Sequence, residues 1–119
     1  MNLRVWFNPN CSKCRNLKAL LEERGIQAEY RHYLEQGPSL EELEGLVQKL
    51  AAAGTPADQI LPLMLRSKDP APDGFDLADQ ASCLAAIVAD PSQLQRPIVE
   101  SDQGAVVARP PELVNAFLS

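Results

Sequence analysis

The chain has 119 residues, of which 45% are hydrophobic and 23% are charged, as is typical of one soluble globular domain. The net charge of −5 argues against a protein that binds nucleic acid, and no apolar run approaches the roughly 20 residues needed to span a membrane. The N-terminal residues lack the pattern of a signal peptide. We therefore expect a cytoplasmic protein with one domain over residues 1–119, and neither a nucleic acid nor a membrane as its partner.

The first third of the chain predicts a strand, a helix and a second strand. Residues 3–7 are a short run of β-branched and aromatic side chains, and a turn over 8–10 stops it. The leucines of residues 12–24 recur on one helical face, and Gly25 stands where helices commonly end in left-handed backbone. Polar and apolar side chains alternate along residues 27–33, which predicts a second strand. Strand, helix and strand together predict a parallel β-α-β unit.

Helices are predicted for the middle of the chain. Ser39 and Glu42 have the spacing of a capping box, and apolar residues follow them at helical intervals. Residues 55–66 predict a second helix with Pro56 at its first position. Residues 77–89 predict a third, with Val88 on its buried face.

The last part of the chain predicts two strands and a helix. Residues 97–99 and 105–108 are apolar runs that flank a polar segment, which indicates a β-hairpin. Residues 113–118 predict the final helix. The order is therefore β-α-β, helices within about 39–92, then β-β-α, in an α/β fold.

The chemistry of the chain centres on two of its three cysteines, Cys11 and Cys14, which are one helical turn apart. Cys11 follows the first strand and precedes the first helix, where unpaired N–H groups and the helix dipole stabilise a thiolate. Lys13 and Arg15 add positive charge nearby. Because the thiolate is the nucleophile, this position predicts a reactive cysteine, and Cys14 is a candidate resolving thiol.

Two alternative interpretations of this motif are a pair of inert buried thiols and half of a zinc site. A structural zinc site needs four ligands, and only Cys83 and His32 remain, neither in a ligand-like pair. An odd number of cysteines also argues against a scaffold of disulfides. Redox chemistry without a bound metal is therefore favoured, with Cys83 as a core thiol and His32 in a structural or surface role.

Four segments in order resemble the ArsC family, which comprises the glutaredoxin-dependent arsenate reductases and their relatives. Residues 8–16, Asn-Pro-Asn-Cys-Ser-Lys-Cys-Arg-Asn, resemble the active-site loop of the family. Residues 32–35, His-Tyr-Leu-Glu, resemble its sequence after the second strand, and 96–99 and 109–110 resemble its Arg-Pro-Ile-Val and Arg-Pro motifs. The resemblance covers essentially the whole chain and implies a thioredoxin-like fold with a helical insertion.

The resemblance also implies roles for individual residues. Cys11 matches the catalytic cysteine that attacks arsenic. Arg96 and Arg109 match arginines that hold the oxyanion and its product, and Arg66 matches a third one more loosely. Arg15 matches a basic residue just inside the first helix.

General chemistry agrees with these roles, although each arginine could instead be a solvated surface cation or part of a salt bridge. Guanidinium groups offset the repulsion between an oxyanion and a thiolate, and helix N–H groups from Ser12 to Cys14 form an anion cradle. Asn8 is expected to have a structural role in the turn before the cysteine. By resemblance, Pro97 takes the place of the cis-proline that faces the active cysteine, so we predict a cis bond there.

Two positions depart from the family's pattern. Phe7 stands where the reductases often carry a histidine, which removes a polar neighbour of the cysteine. Cys14 replaces a common Ser or Thr. A second thiol one turn from Cys11 could resolve an intermediate internally, where the family's enzymes use glutathione and then glutaredoxin.

The sequence thus predicts a thiol-dependent reductase that converts arsenate to arsenite through Cys11. Glutathione is the expected co-substrate, glutaredoxin or thioredoxin supplies electrons, and no cofactor is bound. One alternative is a YffB-like, glutathione-dependent thiol reductase with another substrate. A second is an Spx-like redox regulator that binds RNA polymerase. Arg96 and Arg109 favour the enzyme, because a regulator needs no oxyanion cradle.

Overall fold

The computed structural model describes residues 3–65 and 79–118. Arg66, the whole of the loop expected over residues 67–75 and the first two residues of the predicted helix 77–89 lie outside these ranges. The elements are, in chain order, β1 (Arg4–Trp6), α1 (Ser12–Glu23), β2 (Glu29–Arg31), α2 (Leu40–Ala52), α3 (Ala57–Met64), α4 (Gln80–Ala89), β3 (Ile98–Glu100), β4 (Ala105–Val107) and α5 (Val114–Leu118). Short 3₁₀ turns precede β3 and α5.

The four described strands form one mixed sheet in the order β2-β1-β3-β4. β1 runs parallel to β2 and antiparallel to β3, and β3 pairs antiparallel with β4. At the centre, Val5 lies opposite Tyr30 on one side and Val99 on the other. This arrangement confirms the predicted α/β fold and places the end of β1, where the cysteine motif begins, between β2 and β3.

The described apolar side chains form two clusters, one on each face of the sheet. Successive side chains of a strand point to opposite faces, so Val5 and Phe7 join one cluster and Trp6 joins the other. Leu17 and Leu21 of α1 cover the first face together with Val114. The helices α2, α3 and α4 cover the second face.

Trp6, the single tryptophan of the chain, is fully buried in the second cluster. Its ring centroid lies 6.2 Å from that of Tyr33. The guanidinium carbons of Arg4 and Arg31 lie 5.3 Å and 5.4 Å from the Trp6 centroid. Two cations therefore pack on this aromatic group, close enough for cation–π attraction.

The helix ends follow the signals in the sequence. At the end of α1, Gly25 has a φ of +69°, and the Ile26 N–H donates to the Leu21 carbonyl, which is the pattern of a Schellman end. At the start of α2, the Ser39 hydroxyl accepts from the Glu42 N–H and the Glu42 side chain accepts from the Ser39 N–H. The predicted capping box is therefore confirmed.

Three expectations from the sequence are wrong. Val88 is 40% exposed, because α4 buries the face that carries Cys83, Leu84 and Ile87. Pro56 is the residue before α3 and not its first helical position. The polar segment of the hairpin begins one residue later than expected, since Glu100 is the last residue of β3.

Glu100 is also buried, at 5% exposure. Its carboxylate forms an ion pair with Arg4 of the neighbouring strand, and its second oxygen lies 3.6 Å from the Lys49 ammonium of α2. The two cations compensate for removing the carboxylate from water. Glu100 thus links the sheet to the second helix.

Among the described helices, none is long and apolar enough to cross a membrane.

Candidate active site

The turn before α1 is fixed by hydrogen bonds to Asn8. The Cys11 N–H donates to the Asn8 carbonyl at 3.0 Å, and the Asn10 N–H donates to the Asn8 side-chain oxygen at 3.0 Å. Asn8 itself is buried. Cys11 is the residue that immediately precedes α1, in extended backbone conformation. This turn therefore holds Cys11 at the N-terminal end of α1.

The Cys11 thiol has its pKa lowered from 9.0 to about 7. Burial is the largest single influence and raises the pKa. Hydrogen bonds from the Cys14 N–H, the Arg96 side chain, the Cys14 thiol and the Lys13 N–H stabilise the thiolate and outweigh that effect. A substantial fraction of Cys11 is therefore thiolate at neutral pH, as a nucleophile requires.

The Cys14 thiol behaves in the opposite way. Burial raises its pKa most, and the neighbouring Cys11 charge adds to the effect, so that the pKa is about 12. The side chain is fully buried, and its sulfur accepts a hydrogen bond of 3.5 Å from the Asn8 N–H. Cys14 is thus held as a neutral thiol that supports the turn and donates toward Cys11.

Arg96 is buried beside the two cysteines. Its Nε has no hydrogen-bond partner among the described residues. Its side chain lowers the pKa of Cys11 through a hydrogen bond, and its charge lowers the pKa of Cys14. The Arg96–Pro97 peptide bond is cis, which agrees with the isomer expected from the sequence. A buried guanidinium group with an unpaired N–H can stabilise a further anion that binds beside the Cys11 thiolate.

Three other sequence-predicted residues, Arg109, Arg15 and Ser12, are exposed. Arg109 is exposed, and its Nη1 donates to the Arg96 carbonyl at 3.1 Å. Arg15 is exposed, and its Nη1 donates to the Pro9 carbonyl at 3.0 Å. Ser12 is the exposed first residue of α1. Arg66 lies outside the described residues.

Tyr33 is a residue of the site that sequence reasoning missed. It is fully buried, and its hydroxyl has no hydrogen-bond partner among the residues that the structure describes. Burial raises its pKa to about 12, the charge of Arg96 opposes that change, and Cys14 and Cys11 also act on it. The sequence offered one indication of this, namely that Tyr33 follows β2 by two residues. Because β2 runs parallel to β1, the residues after β2 lie beside the turn that follows β1.

His32 and Cys83 lie away from this chemistry. The His32 ring is half-buried, 5.5 Å from the Phe7 ring centroid. Cys83 is buried in the cluster formed by the α2–α4 helices. Within the described ranges, no group of three or more His, Cys, Asp or Glu residues is arranged to hold a metal ion.

The architecture and this cysteine site can be compared with those of known proteins. The model of the ArsC family matches residues 6–117. The chain belongs to the ArsC family. Members of that family named arsenate reductase are similar along their whole length. That of Neisseria meningitidis is 38% identical, over 98% of this chain and 97% of its own. That of Haemophilus influenzae is 36% identical, over 99% and 100%.

Solved structures of ArsC proteins have the same fold. An arsenate reductase from Vibrio cholerae superposes with a TM-score of 0.79 at 35% identity, covering 98% of this chain and 97% of that one. A YFFB protein superposes with a TM-score of 0.75 at 18% identity, covering 98% and 99%. The thioredoxin-like fold predicted from the sequence is therefore confirmed.

Proposed function

We propose that this ArsC-family protein is a cytoplasmic, thiol-dependent oxidoreductase that reduces arsenate to arsenite, with Cys11 as the nucleophile. The observation that carries the proposal is the pairing of Cys11, whose pKa is about 7, with the buried guanidinium of Arg96. A nucleophilic thiolate beside a fixed cation suits an anionic electrophile. The names of the relatives from Neisseria and Haemophilus support the same reaction.

The oxyanion would bind between the N-terminal end of α1 and Arg96. The Nε of Arg96 is free to donate to an anion, and the first N–H groups of α1 have no partner within the helix. Arg109 uses one nitrogen on the Arg96 carbonyl, which leaves its other donors for the substrate. Arg15 and Ser12 are proposed contributors beside the turn, and Arg66, which lies outside the described residues, stays a contributor proposed from the sequence.

The reaction divides into two steps. In the first, the Cys11 thiolate attacks arsenic(V), an arsenate oxygen takes up protons and leaves as water, and a sulfur–arsenic bond forms. In the second, another thiolate attacks the Cys11 sulfur, so that a disulfide forms and the sulfur–arsenic bond breaks. The electron pair of that bond stays on arsenic, which leaves as arsenite. Arsenic thereby gains the two electrons that the two thiols lose.

We assign the second thiol to glutathione and not to Cys14. Full burial is the main reason that the Cys14 pKa is about 12, and burial remains when the Cys11 charge is lost to the arsenic bond. A thiol with that pKa supplies almost no thiolate at neutral pH. Glutaredoxin or thioredoxin then reduces the mixed disulfide and restores Cys11.

The two alternatives differ in what they require of this site. A YffB-like thiol reductase keeps Cys11 and glutathione but acts on another substrate. An Spx-like regulator needs a thiol switch and a surface for RNA polymerase, and does not require a buried guanidinium with a free N–H beside its cysteine. The position of Arg96 therefore favours an enzyme.

A coupled assay tests the proposal. NADPH oxidation is followed with arsenate, glutathione, glutathione reductase and glutaredoxin, on wild type, Cys11→Ser and Cys14→Ser. Cys83→Ala is the matched control, because it removes a thiol that lies in the other cluster. We expect Cys11→Ser to fall to background, and Cys14→Ser and Cys83→Ala to keep most of their turnover.

Full arsenate turnover by Cys11→Ser would overturn the mechanism, and loss of turnover in Cys14→Ser with an unchanged fold would assign resolution to Cys14. Turnover of another oxidised substrate, but not of arsenate, would favour the YffB-like alternative.

A further inference from the structure

A groove of about 430 Å³ runs along one side of α1, next to the active-site turn. Its walls include Pro9 of the turn, Arg15 and Lys18 of the helix, and Tyr30 and His32 of the β2 edge. The volume falls in the range of pockets that bind small molecules, about 300–1,000 Å³. The groove adjoins the site at Arg15, whose N–H donates to the Cys11 carbonyl at 3.1 Å. It is therefore an open extension of the site along α1.

The charges of the groove are ordered along the helix. Arg15, Lys18 and Glu22 are spaced so that they share one face. Starting from the Cys11 end, the order is positive, positive, negative. Because a helix rises 1.5 Å per residue, Arg15 and Glu22 are about 10 Å apart along the axis.

The middle charge is held in place by aromatic rings. The Lys18 ammonium lies 5.3 Å from the centroid of Tyr30 and 5.9 Å from that of Phe7. Neither Lys18 nor Glu22 forms an ion pair with another described residue. The Lys18 ammonium and the Glu22 carboxylate therefore line the groove without a counter-ion among the described residues.

We propose that this groove binds the tripeptide thiol that resolves the Cys11 adduct, with Lys18 and Glu22 as its specificity-determining residues. Glutathione carries two carboxylates and one ammonium group. Its glycine carboxylate would pair with Arg15, its γ-glutamyl carboxylate with Lys18, and its ammonium with Glu22. Because the thiol is on the central residue of the tripeptide, it then lies between Arg15 and Lys18, the two charges nearer to Cys11.

The dimensions agree with this occupant. An extended tripeptide is about 10 Å long, which matches the span from Arg15 to Glu22. The apolar floor at Phe7 and Tyr30 suits the methylene groups of the γ-glutamyl arm. A purely acidic peptide would complement Arg15 and Lys18 but would place a carboxylate against Glu22. The order of charges thus favours a ligand that has an ammonium at one end.

This inference rests on the proposed function, so the test separates binding from turnover. The probe is S-methylglutathione, which cannot react, and the protein is the Cys11→Ser variant, which cannot turn over. Dissociation constants are measured by calorimetry, and the binding site is mapped by amide chemical shifts in nuclear magnetic resonance spectra. Binding in the groove can then be found even if arsenate is not the substrate.

The variants test each charge. We expect Lys18→Glu to weaken binding about tenfold and Lys18→Arg to change it less than about twofold. Arg24→Glu is the matched control, since it makes the same change of net charge at the exposed end of α1, outside this groove. It should change the dissociation constant less than about twofold.

The ammonium contact is tested with a second probe. N-acetyl-S-methylglutathione lacks the charge that Glu22 would bind, and we expect it to bind the parent protein about threefold more weakly. Glu22→Gln should bind both probes equally, whereas the control Glu23→Gln should keep the difference. In the active enzyme, Lys18→Glu should raise the KM for glutathione and leave the KM for arsenate unchanged.

Three results would overturn the proposal. One is equal affinity of Lys18→Glu and Arg24→Glu for S-methylglutathione. Another is a set of shift changes that leaves α1 and β2 unaffected. A third is no binding of the tripeptide together with loss of glutaredoxin binding in Lys18→Glu, which would make the groove a contact for an acidic protein surface.

Discussion

The guanidinium of Arg109 donates a hydrogen bond of 3.1 Å to the backbone carbonyl of Arg96. This contact joins the end of the hairpin to the residue whose side chain is buried beside the cysteines. Arg109 therefore does two things in the proposed enzyme: it supports the backbone at Arg96 and presents its remaining donors to the site. A lysine has no planar fork and cannot make both contacts at once.

Arg109→Lys should accordingly lower kcat/KM for arsenate by about tenfold, and Arg109→Ala by more. Steady-state kinetics with arsenate as the varied substrate measures the effect, and Arg24→Lys is the control at an exposed arginine elsewhere. Wild-type kinetics in Arg109→Lys would show that the charge alone is sufficient.

The reactivity of Cys11 should depend on pH with a midpoint near its pKa of about 7. The thiolate is the reactive form, so the rate of alkylation by iodoacetamide should rise through this pH and decline below it. Arg96→Met removes a hydrogen bond to the thiolate, and we expect it to move the midpoint upward by about one pH unit. The midpoint is read from alkylation rates between pH 5 and 10.

Peptide mapping by mass spectrometry gives the internal control for this experiment. At pH 8, Cys11 should be labelled while Cys14, whose pKa is about 12, and the buried Cys83 are not. In denaturant all three should react. Rapid labelling of Cys14 in the folded protein, or an unchanged midpoint in Arg96→Met, would contradict the electrostatic account of the site.

Tyr33→Phe should separate stability from activity. Because the hydroxyl is buried without a described partner, its removal leaves no other group unpaired, and the free energy of unfolding should change by less than about 1 kcal/mol. With its pKa at about 12, the hydroxyl keeps its proton and can donate to an arsenate oxygen. We expect kcat to fall by about fivefold.

Urea denaturation and steady-state kinetics provide the two readouts. Cys83→Ala, in the same buried cluster as Tyr33 but away from the cysteine site, is the control. A stability loss well above 1 kcal/mol with unchanged kcat would make the Tyr33 hydroxyl purely structural.

Glu100 should matter for stability and not for turnover. Glu100→Ala removes a buried carboxylate that binds Arg4 and Lys49. Lys49 then loses this partner, while Arg4 keeps its ion pair with Glu42. Since these cations are about one-third exposed, solvent screens them, and we expect a loss of about 1–2 kcal/mol. Urea denaturation measures it. Glu23→Ala on the exposed face of α1 should lower the free energy of unfolding by less than about 0.5 kcal/mol. An equal loss in both variants would show that Glu100 does not stabilise the fold through its ion pairs.

The sequence predicted those parts of the fold that depend on local signals. The Gly25 helix end and the Ser39–Glu42 capping box are each decided by residues within one turn, and both are present. Glu100 was missed because its partners Arg4 and Lys49 are distant in sequence. A polar side chain at a strand end predicts a turn unless such partners are known.

The candidate site also combines features that local sequence decides with features that depend on distant residues. The position of Cys11 before α1 follows from the order of strand, turn and helix, which is local. Its relation to Arg96 and Tyr33 depends on how β1 packs between β2 and β3, which only long-range pairing decides. Without the family resemblance, Arg96 would have been an ordinary charged residue near a proline, and Tyr33 gave no signal of its own beyond its place after β2.

The burial of Trp6 gives this protein an intrinsic optical reporter. The indole is the only one in the chain, lies fully inside the molecule and contacts the ring of Tyr33, which in turn adjoins Arg96 and the cysteine pair. When excitation is set to wavelengths that tyrosine does not absorb, the emission comes from this single indole. Loss of the negative charge at Cys11 on adduct formation changes the electric field around that indole. Stopped-flow emission can therefore time the first chemical step without a label.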